Sequence, residues 1–321
     1  MSRPTCEHAG MSASRLLQRL DQGEILILDG AIGTELQRRG APMDSVAWCA
    51  LATRSHPDLL RRIHLDYIEA GADIITTNTF STARHVLEAA GLGDEAETIN
   101  RTAVMLAREA VEESGRDILV AGSMSSTRPL NEPPTRPIGE EVAASYREQA
   151  TLLKEEGVDV IVAEMMVDIP NASLVLEGAQ ATGLPVLVGW SASLDDDGRA
   201  VPYHSVRQVE PPQHSFAGLM ERGASLGGDV AGIMHSRVEA TGPALDVLSQ
   251  HWEGPLMAYA ETGWFEPPNW VFADATSPAA YAGVARKWVD LGVTVIGGCC
   301  GTTPDHIAEL RSALGDRNAS A

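Results

Sequence analysis

From Glu24 onward the chain alternates short apolar runs, many of them β-branched, with longer stretches in which apolar residues recur every three or four positions. The short runs predict strands at Ile25–Leu28, Asp73–Thr77, Ile118–Gly122, Asp159–Ala163, Pro185–Gly189, Asp229–Met234, Pro255–Ala260 and Val293–Gly297. The longer stretches predict helices, among them His56–Ala70, Glu95–Ser114, Glu140–Glu156, Asn171–Thr182, Gly242–His251 and Ser277–Leu291. Near-continuous apolar strands are those of a parallel sheet covered on both faces. Eight such pairs, with no linker or low-complexity segment between them, predict one α/β domain over residues 23–316, a closed (β/α)8 barrel of the TIM type. Residues 1–22 are expected to form an N-terminal extension with a first helix, and 317–321 a disordered tail.

In such a barrel, chemistry sits at the C-terminal ends of the strands. The first strand ends in Asp29-Gly-Ala-Ile-Gly-Thr-Glu-Leu36, where Gly30 leaves room for a ligand beside the backbone; Asp29 would hold a substrate ammonium, or merely shape a turn. The second ends in Thr76-Thr-Asn-Thr-Phe80, whose Thr77 and Asn78 suit a carboxylate or cap the loop. After the third comes Ala121-Gly-Ser-Met-Ser-Ser126, in which Ser123 sits among small residues that allow close approach, followed by a proline-rich Thr127–Ile138 that would be a lid or a plain loop. Glu164 follows the apolar Val160–Ala163, where a carboxylate is costly unless something cationic meets it. The triple acid Asp195-Asp-Asp-Gly198 lacks the spacing of a calcium loop and reads as a solvated turn.

The most specific stretch is Val293-Thr-Val-Ile-Gly-Gly-Cys-Cys-Gly-Thr-Thr-Pro-Asp305, a strand, a glycine-framed vicinal cysteine pair and a helix start. Adjacent cysteines can be buried fillers or a strained disulfide. Here Gly297, Gly298 and Gly301 are expected to turn the backbone so that both thiols face one cleft. His235 closes the sixth strand at the same mouth. Cys299, Cys300 and His235 together would offer a metal two thiolates and an imidazole, with a fourth position open, as catalytic zinc sites do. Cys6-Glu-His8, in the terminal extension, makes a much weaker claim.

Composition narrows the partners. A net charge of -20 repels phosphate backbones and anionic membranes, so neither nucleic acid nor membrane is expected. Four cysteines in 321 residues are no disulfide framework, and the first dozen residues have no apolar core of a secretory signal, which together point to the cytoplasm.

On Asp29-Gly-Ala-Ile-Gly-Thr-Glu-Leu36, Gly71-Ala-Asp-Ile-Ile-Thr-Thr-Asn-Thr-Phe80 and Gly297-Gly-Cys-Cys-Gly-Thr-Thr-Pro304, the chain resembles the homocysteine S-methyltransferase family, from about Ile25 to Leu314. The resemblance, to the betaine-homocysteine methyltransferase-like zinc barrels, implies Zn2+, homocysteine as acceptor and a small onium methyl donor, giving methionine; a homo-oligomer is allowed for. It implies that Asp29 and Glu164 grip the acceptor's amino group and that Trp48 lies on the donor side. Trp190, Tyr203, Trp264 and Trp270 are further candidates for caging a cation, and Met124, Met165, Met166 and Met234 for lining the cleft. One departure stands out. The family's third zinc ligand is a cysteine in a Gly-Val-Asn-Cys segment or similar, and this chain has Gly232-Ile-Met-His235. Either His235 ligates zinc, or metal is bound differently or not at all; ligation is the expectation. Two thiolates and an imidazole would leave zinc formally neutral where three thiolates leave it at -1, favouring ionisation of an incoming thiol at the cost of its nucleophilicity. A demethylase using another acceptor, and a metal-free binding protein of the same fold, are the alternatives.

Overall fold

The apolar runs form eight parallel strands: β1 (Leu26–Ile27), β2 (Ile74–Thr76), β3 (Leu119–Ser125), β4 (Val160–Met166), β5 (Val186–Trp190), β6 (Val230–Arg237), β7 (Leu256–Glu261) and β8 (Val293–Gly298). The computed structural model describes residues 15–130, 138–203 and 215–318. Cys6 and His8, the middle of the proline-rich segment after Thr127, and the last three residues lie outside them. Strands pair in the order β1-β8-β7-β6-β5-β4-β3-β2. The two ends of that series meet where Leu28 bridges Ile74, Asp29 N–H donates to Ile74 O at 2.9 Å and Asp73 N–H to Ile27 O at 2.7 Å. The result is the expected barrel.

Side chains alternate along the strands between two cores. Leu26, Leu119, Val160, Leu187, Met257 and Val295 fill the barrel's interior, while Ile27, Val120, Ile161, Val188, Ala258 and Ile296 pack outward under the helices. The helical residues 15–21 add Leu16 and Leu20 to the inner cluster. Arg19 of the same helix bonds Glu24 at 2.8 Å and pairs with Asp73 at 3.3 Å, beside the start of β2. This segment therefore stoppers the mouth opposite the site, each buried leucine contributing about 1.5–3 kcal/mol.

Three strands run three residues past their expected ends. β3, β4 and β6 were expected to end at Gly122, Ala163 and Met234 and continue to Ser125, Met166 and Arg237. Their polar ends remain in the ladder, Ser125 paired with Glu164 and Met124 with Ala163, because buried backbone groups there still need partners. Ser123, Glu164 and His235 consequently stand on strands rather than on loops.

The helices follow their end signals. Pro57–Ala70 starts on proline and stops at Gly71 with φ 109°, and Ala96–Ser114 stops at Gly115 with φ 63°. Ile169–Gln180 begins two residues before the expected Asn171 because Asp168 caps it, accepting from Asn171 N–H at 2.8 Å. Val238–Leu248 begins four residues before Gly242, with Pro243 inside the helix rather than at its start. Phe216–Ala224, capped by Ser215, was not foreseen: nine residues with two glycines give little helical signal. The triple acid forms the expected exposed turn, joining Ala192–Leu194 to Ala200–Pro202 in an antiparallel ribbon. Among the described residues no helix is long and apolar enough to cross a membrane.

Candidate active site

At the C-terminal mouth, His235, Cys299 and Cys300 bring one ligand atom each within 4.8 Å of one another. All described cysteines are free thiols. The turn after β8 is held from both sides. Cys299 N–H donates to Ala260 O at 2.9 Å, Thr262 N–H to Cys300 O at 2.8 Å, and Thr302 Oγ1 to Cys299 O at 2.7 Å. Of the three framing glycines only Gly301 has a positive φ, 81°, where its N–H donates to Thr34 Oγ1 at 3.0 Å. Gly297 and Gly298 stay in β8 and serve close packing instead: a Cβ on Gly297 would meet Asp29 O at 2.8 Å, and one on Gly298 would run into Thr302. The expectation that all three turn the chain is corrected accordingly.

His235 reaches the cysteines through a strained backbone, φ 44°, at a register shift in β6 between Met234 and Arg237. Of four non-glycine residues with positive φ among those described, three (Trp48, Met165 and His235) line the cleft. Each costs about 1–2 kcal/mol, which the surrounding contacts must hold in place. His235 Nδ1 lies 3.1 Å from Glu261 Oε2, an ion-pair distance without the alignment of a hydrogen bond. Burial works against charge on the imidazole, but Glu261 and Cys299 outweigh it and lift His235 to about 9. The hydrogen bond from Cys300, and His235 beside it, overcome burial and bring Cys299 well below the usual thiol range, while Cys300 is driven up by Cys299 and by burial. A Cys299 thiolate beside a protonated His235 is therefore favoured even without an ion.

This donor set fits zinc: two thiols and one imidazole are its common ligands, and tetrahedral zinc places ligand atoms ~3.5–3.8 Å apart, within small side-chain adjustments of the observed cluster.

The cluster borders a cavity whose lining includes Asp29, Gly30, Thr77, Asn78, Ser123 and Glu164, together with Trp48. Asp29 accepts from Thr76 N–H at 2.8 Å and from Thr76 Oγ1 at 3.1 Å, and burial raises its pKa well above the carboxylate range despite those bonds. Glu164 accepts from Ser123 Oγ and, at 3.1 Å, from Tyr259 O–H; burial pushes it up to about 7. Among the described residues no arginine or lysine lines this cavity; the hydrogen bonds to its two buried carboxylates come from Thr76, Ser123 and Tyr259, and His235, which also lines it, favours the ionised form of Glu164. Thr77 and Asn78 are engaged internally. Thr77 Oγ1 accepts from Ser123 N–H at 3.2 Å and lies 2.6 Å from Thr79 Oγ1. Asn78 Nδ2 donates to Cys49 O at 3.1 Å and to Thr53 Oγ1 at 3.0 Å. Gly30 has no room for a side chain, since a Cβ would sit 2.8 Å from the Tyr67 ring.

A second cavity opens outward from the same cluster, walled by Trp48, Phe80, Tyr203, Phe265 and Trp270, with Met165 and Arg128. Trp48 stands edge-on to Phe80 and Phe265, with centroids 6.0 and 6.4 Å away, and Tyr203 lies 5.1 Å from the His235 ring. Four candidates fall elsewhere. Trp190 is buried in the outer core against Gly223, and Trp264 lies on the ribbon Trp264–Glu266, its Nε1 bonded to Glu266 at 2.9 Å. Met124 and Met166 point outward under the helices, whereas Met165 and Met234 face inward. Period-2 alternation separates these pairs; proximity to a strand end does not. The residues not anticipated are Tyr259 and Glu261 on β7 and the rings of Phe80 and Phe265. Glu261 lies one residue beyond the expected end of its strand, where the rule that found Glu164 would also have found it.

A barrel with a buried and a half-buried thiol, an imidazole and two buried carboxylates at its C-terminal mouth belongs to the class of (β/α)8 proteins that carry a metal-ligand set beside a small cleft. The homocysteine S-methyltransferase family model matches residues 26–314, and the chain belongs to that family. It is 27% identical to betaine–homocysteine S-methyltransferase 1 of Bos taurus, over 93% of this chain and 74% of that protein. It is 24% identical to the homocysteine S-methyltransferase YbgG of Bacillus subtilis (strain 168), over 91% and 95%. The homocysteine methyltransferase MmuM of Escherichia coli in its metallated form superposes with a TM-score of 0.70 at 24% identity, covering 94% of this chain and 99% of that one.

Proposed function

We propose that the chain is a cytoplasmic homocysteine S-methyltransferase that carries zinc on His235, Cys299 and Cys300 and takes its methyl group from a small sulfonium or quaternary ammonium donor. The observation that carries the reading is the meeting of those three side chains at 4.8 Å or less between an acid-lined and an aromatic cavity. A free thiol with pKa near 8.5 is only a few per cent ionised at neutral pH, a penalty of ~2 kcal/mol. Zinc in this position supplies a Lewis acid that removes that penalty and fixes the sulfur.

The chain's own residues do the rest. Asp29 and Glu164 receive the acceptor's ammonium, and its arrival favours their ionised forms. Thr76 holds the first carboxylate, Ser123 and Tyr259 the second. Trp48, Phe80, Tyr203, Phe265 and Trp270 offer their rings to the donor's cation, and among the described residues no aspartate or glutamate lines this cavity. The methyl group passes to the acceptor sulfur as the donor's onium centre takes back the bonding pair and becomes neutral. Exclusion of water by the rings favours that discharge. The test is a screen of onium donors with homocysteine, methionine being detected by mass spectrometry. Methionine formed with at least one donor, and lost when zinc is chelated, is the expected result; no product with any donor in the zinc-loaded protein would contradict it.

A further inference from the structure

We infer that Glu261 is a positioning residue for the metal centre: its carboxylate holds Nδ1 of His235, leaving Nε2 to face the two thiols, and restores the negative charge lost with imidazole in place of a third thiolate. The inference rests on the proposed zinc site and deepens it.

Glu261 is the last residue of β7 and is only 9 % exposed. A carboxylate so placed costs several kcal/mol unless a partner compensates it. The groups that face it are few. Arg237, its register partner on β6, is more than half exposed and donates to Glu239 Oε1 at 2.7 Å. Cys299 on the turn after β8 offers only negative charge. Among the described residues Glu261 Oε2 has no hydrogen-bond partner, and it lies 3.1 Å from His235 Nδ1. The imidazole is thus the buried partner that this carboxylate has.

A metal-bound histidine ordinarily donates its second ring N–H to a carboxylate or carbonyl, which sets the tautomer and makes the ring a better ligand. The charges agree with that role. Zinc with two thiolates and a neutral imidazole sums to zero; Glu261 brings the total to -1, the value of a three-thiolate site. The acid at the end of β7 therefore belongs with the histidine at the end of β6, and neither makes physical sense alone. The loss of nucleophilicity expected from the histidine is offset by its neighbour.

The experiment is a zinc-affinity measurement by chelator competition on the full chain, with thermal melting to confirm folding, in six forms: wild type, Glu261→Gln, Glu261→Asp, His235→Ala, His235→Cys and the double variant of Glu261→Gln with His235→Cys. Glu261→Gln is expected to weaken zinc about 10–100-fold when His235 is present. In the His235→Cys background the same change should leave affinity unchanged or improve it, because a thiolate has no N–H to donate and is repelled by a carboxylate. Glu261→Asp, which keeps the charge, should recover part of the loss. Equal affinity of wild type and Glu261→Gln, or an equal loss in both backgrounds, would overturn the inference while leaving the zinc site standing. Unchanged affinity in His235→Ala would remove His235 as a ligand, and the inference with it.

Discussion

The inner and outer halves of the cleft share Trp48, Phe80, His235 and Cys300 and are otherwise built differently. The inner half is made by the strand ends: Asp29 follows β1, Thr76 ends β2, Ser123 and Glu164 stand in the ladders of β3 and β4, and Tyr259 belongs to β7. Its polar atoms are held by short bonds to neighbouring strands, so its geometry is fixed before any ligand arrives. The outer half is made largely by connections: Trp48 before the first long helix, Thr127 and Arg128 after β3, Tyr203 after the ribbon that follows β5, and Phe265 and Trp270 on the ribbon after β7. There Trp48 meets Phe80 and Phe265 edge-on, and Trp270 is tied to Gln37 and Thr262. On the proposed function, the difference means that one ligand is selected by the barrel itself and the other by the loops grafted onto it, with the metal-ligand cluster between them.

The strongest way to break this division is at the shared cluster. Cys299→Ser or His235→Ala should lower turnover by about 10³-fold or more with all donors, since both ionisation and placement of the acceptor sulfur are lost. Steady-state kinetics alongside zinc content checks this; a fall in rate with full zinc retention would separate the cluster from the metal. Changes in the inner half come next. Glu164→Gln should cut kcat/KM for homocysteine about 10–100-fold, the range for removing one charged partner from a buried ammonium, while donor KM moves little. Equal damage to both substrates would show that the two halves are not separate.

Phe265→Leu, in the outer half alone, should raise donor KM by about 2–30-fold and leave homocysteine KM in place. The smallest effect is on stability. In the metal-free protein Glu164 titrates at about 7, above its unfolded value, so the folded state holds a proton that the unfolded chain releases. Stability from this group is full below about pH 4.5 and falls as pH rises to about 7. The difference in melting temperature between wild type and Glu164→Gln, followed across that window, should change with pH in this sense; a flat difference would contradict the burial argument.

The same division explains what was legible in the sequence. Strands buried on both faces read as apolar runs, so all eight strands and the ring they close could be anticipated from residue order. Inner-half residues announce themselves because an acid at the end of an apolar run, as at Asp29 or Glu164, has few bland explanations. The strand ends were drawn too short at β3, β4 and β6 because hydropathy stops where the polar site begins, while the backbone ladder does not. The outer half left little signal: Phe265 and Phe80 are ordinary aromatic residues until a fold brings them to Trp48, and Trp190, similar on paper, turns out to be core. Glu261, at the end of an apolar run, was open to the same rule as Glu164, but its meaning depends on a neighbour 26 positions away whose identity is itself unusual.

X-ray absorption at the zinc edge of the purified protein, before and after adding homocysteine, tests the central claim most directly. The expected first shell has two sulfurs and one imidazole nitrogen with a light fourth ligand, and gains a third sulfur when homocysteine is added. A shell without two sulfurs and a histidine nitrogen, or a sulfur count unchanged by homocysteine, would contradict the account.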